Sequence, residues 1–294
     1  MDKSTGIRVV VCRLKGGLGN QMFQFAYGYA RALRLNAELQ LDLSYFDKDA
    51  RHGGFAIERF ELSDKAELIK LGFWSKTLVK LEEQVIGRVD RVRGIVHEER
   101  TLENRFFKYG SQLYLNGFWQ NPSLFDVYTQ QIKRAFRLKS FDYSSEFLNV
   151  KSEILHSQSV GVHFRRGDYV SDKNAASVHG VLGEAYYLKA VQKIEESIEC
   201  PRYFVFSDDI KAAKKELDFL ENAVFVDSVS DSMVADMHLM SLCKYNIIAN
   251  STYSWWSAWL NDNDMKMVVA PKQWFSNQEK NQQCKIIPSE WITV

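Results

Sequence analysis

Tyr203-Phe204-Val205-Phe206, then Ser207-Asp208-Asp209, then Ile210 to Leu220, then Ala223-Val224-Phe225-Val226: the order of these four pieces decides the fold. The first and last are short apolar runs of strand length and composition. Between them Ile210, Ala213, Leu217 and Leu220 recur every three or four residues, the apolar stripe of a helix. The same alternation extends in both directions. Upstream, Val160, Val162 and Phe164 alternate as a strand, and a helix from about Glu184 to Ile198 sets Tyr187, Ala190, Val191, Ile194 and Ile198 on one face. Downstream, Asp231-Ser232 caps a helix through Met233, Met237 and Met240. Tyr245 to Ala249 then reads as a strand, Trp255 to Leu260 as a short helix, and Met267 to Ala270 as a last strand before Pro271. Strands and helices in strict alternation imply a parallel, doubly wound α/β sheet.

The N-terminal half opens in the same way. Ile7 to Leu14 is a β-branched run that stops at Gly16-Gly17-Leu18-Gly19. Met22, Ala26, Tyr29 and Leu33 follow at helical spacing, and Leu39, Leu41 and Leu43 alternate as a second strand, completing a βαβ unit. Tyr114 to Trp119 reads as another strand and turn. Residues 60–110 are charge-rich, with helical stretches such as Leu68 to Gln84, and carry no recognisable chemistry. The polar, weakly patterned segment from Lys139 to Gln158 is the expected linker. With 294 residues, about twice a ~150-residue domain, the chain is expected to form two Rossmann-like domains, 1–150 and 151–294.

Composition narrows the function. Lys+Arg number 38 against 37 Asp+Glu, which excludes a general nucleic-acid binder, since that would need a large basic excess. No apolar run approaches the roughly 20 residues of a membrane helix, and Met1 to Arg8 shows no signal peptide. Cys12, Cys200, Cys243 and Cys284 are scattered, without a Cys-x-x-Cys pair. The expectation is a reduced, cytoplasmic enzyme.

In open parallel sheets ligands bind beyond the carboxyl ends of the strands. Three strands of the second half end in unusual polar sets: Arg165-Arg166-Gly167-Asp168, Ser207-Asp208-Asp209, and Asn250-Ser251-Thr252-Tyr253-Ser254. Arginine suits a phosphate because its planar fork donates two parallel, charge-assisted hydrogen bonds. Beside a Ser/Thr-rich helix N-terminus, a pair of arginines makes a diphosphate cradle that needs no metal. Asp208 or Asp209 can accept from a nucleobase edge, or can cap the helix that follows. His163 shares a face with Arg165 by period-two alternation and can orient it. Trp255, Trp256 and Trp259 suit core packing better than sugar stacking. At the first turn, Gly17-Leu18-Gly19-Asn20-Gln21 departs from the dinucleotide fingerprint, because Met22 stands where its third glycine belongs. Asp42 at the end of the next strand resembles a ribose-binding acid, which keeps an NAD(P)-dependent oxidoreductase open. Asp47-Lys48-Asp49 and Asp262-Asn263-Asp264 lie at no evident strand end, so no metal is expected.

Taken together, these residues resemble the α-1,2-fucosyltransferases of glycosyltransferase family 11. The likeness rests on Arg13 to Gln24, on Gly117-Phe118-Trp119-Gln120, on His163-Phe164-Arg165-Arg166-Gly167-Asp168-Tyr169, on Phe206 to Asp209 and on Asn250 to Trp256. It implies a GT-B-like pair of Rossmann domains facing across a cleft, the first on the acceptor side and the second binding the donor. The donor implied is GDP-fucose, transferred with inversion, without cofactor or metal, to a galactose-terminated oligosaccharide or glycolipid. By likeness, Arg165 binds the diphosphate, and Arg166 and Asp168 shape the same motif. Asp208 and Asp209 lie near guanine. Asn250, Ser251, Thr252 and Ser254 lie near phosphate or fucose, with Gly17, Gly19, Asn20 and Gln21 opposite. For the acceptor's proton the residues themselves offer Asp168, which more readily reads as a structural partner of the arginines, with His163 and Asp42 as outside candidates. The likeness is to the soluble bacterial members that build surface polysaccharide, which allows peripheral contact with the inner membrane. A non-catalytic sugar-nucleotide-binding module also fits the three strand ends.

Overall fold

The structure, a computed structural model, describes residues 6–47, 54–62, 66–70, 105–139, 143–166, 180–227 and 233–294. Contacts divide the chain into two units, Met1–Lys139 and Ser140–Val294.

In the first unit β1 (Val9–Arg13), α1 (Leu18–Leu35), β2 (Glu38–Asp42), β3 (Ala66–Ile69), β4 (Arg105–Tyr109), β5 (Gln112–Asn116) and α2 (Thr129–Ala135) follow in order. The sheet order is β3-β2-β1-β5-β4. β1 pairs in parallel with β2 and β5, as expected for the βαβ unit, with Cys12 opposite both Leu41 and Leu115. The β4–β5 pair is antiparallel, so this sheet is mixed rather than purely doubly wound. The hairpin turns at Gly110, where φ is +57° and a side chain would be strained. α1 lies close on β1 because Gly28 has no side chain: a Cβ there would stand 2.9 Å from Cys12 Cβ. Leu68 and Ile69, expected to begin a helix, belong instead to β3, where Leu68 pairs with Leu41. The remainder of that stretch lies outside the described residues.

The second unit contains α3 (Ser145–Leu155), β6 (Ser159–Phe164), α4 (Glu184–Glu195), β7 (Arg202–Ser207), α5 (Ile210–Glu216), β8 (Val224–Val226) and α6 (Met233–Leu242). β9 (Tyr245–Ile247), α7 (Thr252–Leu260), β10 (Val268–Ala270), α8 (Gln278–Gln283) and β11 (Ile292–Thr293) complete it. Its six strands run β11-β10-β9-β6-β7-β8, and every pair is parallel. The order reverses at β6, which places the topological switch point between β6 and β9. Period-two alternation splits the core. Val160, Val162 and Phe164 pack with Tyr187, Ala190 and Ile194 of α4. Phe204 and Phe206 pack on the other face with Phe147 of α3 and Ala235 and Leu239 of α6.

The polar segment expected as a linker contains α3. Ser144 caps it, its hydroxyl accepting from the Phe147 N–H at 3.1 Å, and Phe147 and Ile154 are fully buried. The division therefore falls at Lys139/Ser140 rather than at 150/151: two large apolar side chains amid polar ones are enough to dock a helix. Asp231 and Ser232, expected to cap α6, lie outside the described residues. Among the described residues no helix is long and apolar enough to cross a membrane.

Candidate active site

β6 carries Arg165 and Arg166 off its carboxyl end beside the switch point, and the two arginines diverge. Arg165 Nη1 lies 3.0 Å from Asp208 Oδ2, and its side chain keeps 25% exposure. Arg166 turns inward. Its Nε donates to Glu216 Oε1 at 3.1 Å, its Nη2 to Glu216 Oε2, and its Nη1 to the carbonyls of Leu182 at 2.9 Å and Arg165 at 3.2 Å. The guanidinium also covers the Phe164 ring at 4.3 Å. Its donors are engaged inside the fold, where Arg166 braces the turn that presents Arg165.

Asp208 connects the ends of β6 and β7. Oδ2 pairs with Arg165, while Oδ1 accepts from the Arg166 N–H at 2.9 Å. One carboxylate thus fixes both the backbone and the guanidinium of neighbouring residues, so its oxygens serve the arginine turn. Asp209 caps α5, accepting from the Ala212 N–H at 2.9 Å, the alternative that the sequence left open. Tyr187 of α4 donates its hydroxyl to the His163 carbonyl at 3.1 Å, holding the last turn of the strand from the other face.

His163 is buried, with Nδ1 lacking a hydrogen-bond partner. Burial, and then the nearby Arg165 charge, push its pKa down to about 3. An imidazole held neutral that strongly is a poor proton acceptor near pH 7, which weighs against His163 as the group that takes the acceptor's proton. Its ring packs against Tyr253, with centroids 5.4 Å apart. Asp168 lies outside the described residues.

Across the switch point, β9 leads into the N-terminus of α7. Ser251 caps that helix, its hydroxyl accepting from the Tyr253 N–H at 3.3 Å, and Ser251 and Thr252 stay half-buried at its first turn. Ser254 is fully buried, and its hydroxyl donates to the Ser251 carbonyl at 3.2 Å. Asn250 is buried and directs its amide at the carbonyls of Gly180 and Trp274, each at 3.4 Å. Of the four expected here, Ser251 and Thr252 remain at the rim, while Asn250 and Ser254 form the turn behind them. Trp255 and Trp256 are core residues, and the Trp255 indole donates to the Ile286 carbonyl at 2.7 Å.

The glycine turn of the first unit is built differently. Gly17 precedes α1 in extended conformation, with no side-chain cap on the helix. Gln21, fully buried, donates to the carbonyls of Gly16 at 2.8 Å and Gly54 at 2.7 Å and accepts from the Ala56 N–H at 2.9 Å. Its amide is an internal tie of the glycine turn. Asn20 Oδ1 accepts from Gln120 at 2.8 Å, linking the two segments Arg13–Gln24 and Gly117–Gln120. Gly19 is buried within α1. Asp42 is 1% exposed and accepts from the Tyr114 hydroxyl at 2.8 Å and the Ser44 N–H at 2.9 Å. It is consumed by the sheet and cannot present a carboxylate to a ribose.

Sequence reasoning missed Glu216, Tyr187 and the structural use of Asp208. Glu216 was masked by the apolar stripe of its own helix; its one signal was a carboxylate close in space to an arginine 50 residues earlier, which spacing along a chain cannot reveal.

An α-1,2-colitosyltransferase of Escherichia coli is 32% identical over 300 residues, covering 97% of this chain and 99% of that protein. The O-antigen biosynthesis glycosyltransferase WbnK of Escherichia coli is 34% identical over 314 residues, covering 96% and 99%. Among solved structures, the α-1,6-fucosyltransferase NodZ soaked with GDP-fucose aligns over 86% of this chain and 92% of its own at a TM-score of 0.52 and 16% identity, a likeness of fold. The family model for glycosyl transferase family 11 matches residues 96–294. The chain belongs to glycosyl transferase family 11.

Proposed function

We propose that the protein transfers L-fucose from GDP-fucose to the 2-hydroxyl of a galactoside, with inversion and without a metal, in the assembly of a bacterial surface polysaccharide. The observation that carries this reading is Arg165: a partly exposed guanidinium, oriented by Asp208, at the carboxyl end of β6 beside the switch point. There it faces the place where an α/β sheet takes a nucleotide. The N-terminus of α7, with Ser251 and Thr252 at its rim, presents the positive end of a helix suited to the same diphosphate. As the bond from the anomeric carbon to the diphosphate lengthens, negative charge grows on the leaving oxygen. A cation already in position stabilises that charge more than it stabilises the bound donor. Asp208, paired with Arg165, spares the site the cost of arranging the cation during the reaction.

Colitose is the 3-deoxy counterpart of fucose, so GDP-colitose is the rival donor, favoured by the colitosyltransferase relative. The test offers GDP-fucose and GDP-colitose in EDTA with a panel of galactosides and reads product mass and linkage. The reading expects a fucosylated galactoside with an α-1,2 bond, formed in EDTA. Preferential colitosyl transfer would move the donor assignment, and no transfer without a divalent cation would overturn the metal-free mechanism.

A further inference from the structure

Arg165 is held through its neighbour. Arg166 Nη1 donates to the Arg165 carbonyl at 3.2 Å. The Arg166 N–H donates to Asp208 Oδ1 at 2.9 Å, fixing the carboxylate whose other oxygen orients the Arg165 guanidinium. Both holds pass through residue 166, and the Arg166 side chain is in turn fixed by Glu216, whose two carboxylate oxygens accept from Nε and Nη2. A bidentate pair of this kind sets a direction as well as a distance. Arg166 Nη1 also reaches the Leu182 carbonyl at 2.9 Å, so the same guanidinium anchors the chain just before α4. We propose that Glu216 is a positioning residue of the transfer: by fixing Arg166 it sets where the Arg165 guanidinium stands.

The proposal rests on the transferase reading above. The segment around α5 supplies a carboxylate to each arginine: Asp208 stands just before the Asp209 cap, and Glu216 is the last residue of the helix. Local helix energetics do not favour Glu216 there. The C-terminal end of a helix carries the negative pole of its dipole and suits cations such as Lys214 and Lys215. An anion in that turn breaks a local rule, and its compensation lies outside the helix, on Arg166. Stability alone is a weak reason for the pair, because apolar residues of similar volume often serve a fold as well; what this pair adds is a fixed geometry. Without Glu216 the buried Arg166 cation loses its anion, and Asp208, already bonded to the Arg166 N–H, is a carboxylate at hand. Competition for Asp208 then frees Arg165 from its orientation, and a misplacement of about 1 Å is enough to cost on the order of 10²-fold in rate.

The experiment measures kcat, acceptor KM, GDP affinity and melting for Glu216→Gln in two backgrounds, wild type and Arg165→Ala, well below the melting temperature of every variant. In the wild-type background kcat is expected to fall roughly 10- to 100-fold, with the acceptor KM unchanged and GDP affinity altered less than kcat. In the Arg165→Ala background no guanidinium remains to be placed. There the same substitution should change kcat by less than about twofold while lowering the melting temperature as before. Glu216→Asp, which keeps the charge one methylene back, should recover part of the rate. An unchanged kcat with lowered melting, or a loss of kcat equally large in both backgrounds, overturns the proposal and leaves Glu216 a purely structural partner. If Glu216→Gln does not fold, Glu216→Asp is compared in the same two backgrounds and decides in the same way; if neither folds, the residue is structural and the proposal is overturned. If wild type transfers no sugar at all, the transferase reading fails instead.

Discussion

The carboxyl ends of the two sheets use their polar residues in opposite ways. In the first unit, Gln21 and Asp42 are consumed by hydrogen bonds that knit the glycine turn and the strand ends together. Gln24 likewise exchanges two bonds with the Lys15 backbone, and the Lys15 ammonium donates to Asn116 at 3.0 Å across the β1–β5 junction. In the second unit the internal bonds involve Arg166, Glu216 and Asp208, and they leave Arg165 and the rim of α7 toward solvent. A motif of similar polarity can therefore be scaffold in one sheet and site in the other.

Four substitutions probe that contrast. The largest effect belongs to Arg165→Ala, expected to lower turnover roughly 10²–10³-fold with melting unchanged, since it removes a preorganised stabiliser of the leaving group; steady-state kinetics beside a thermal melt checks both. Next, Glu216→Ala leaves the buried Arg166 guanidinium without its carboxylate. Because Glu216 is itself 36% exposed, water recovers part of the loss, and a urea titration should show about 2–3 kcal/mol, below the usual cost of breaking a fully buried pair. Gln21→Ala strands the carbonyls of Gly16 and Gly54 and the Ala56 N–H, and should cost about 1–3 kcal/mol by the same titration. Its GDP affinity should be unaltered, whereas a weakened affinity would return the glycine turn to the donor site. The smallest effect is that of Asp209→Ala, about 1 kcal/mol for a lost helix cap, again with GDP binding intact by calorimetry.

The fold of the second unit was largely legible because a buried parallel sheet writes short apolar runs between amphipathic helices. Tyr203–Phe206 and Val160–Phe164 needed no tertiary information. The antiparallel β4 was not legible, since Arg105–Tyr109 sits in charge-rich surroundings and pairs only through a hairpin. The helix α3 was missed because its burial rests on few residues, above all Phe147 and Ile154. At the site, strand ends located Arg165, Asp208 and Ser251 correctly in topology, but adjacency could not separate the roles of Arg165 and Arg166. Consecutive residues at a strand end point to opposite faces, and only the position of Glu216 shows which one is internal.

The central claim is that the nucleotide diphosphate lies against Arg165 at the carboxyl end of β6. An experimental structure with GDP bound tests it most directly. The account predicts a phosphate oxygen about 2.7–2.9 Å from an Arg165 guanidinium nitrogen, with Ser251 and Thr252 beside it and Arg166 still on Glu216. A diphosphate seated instead on the Gly17–Gln21 turn, with Arg165 directed into solvent, would contradict it.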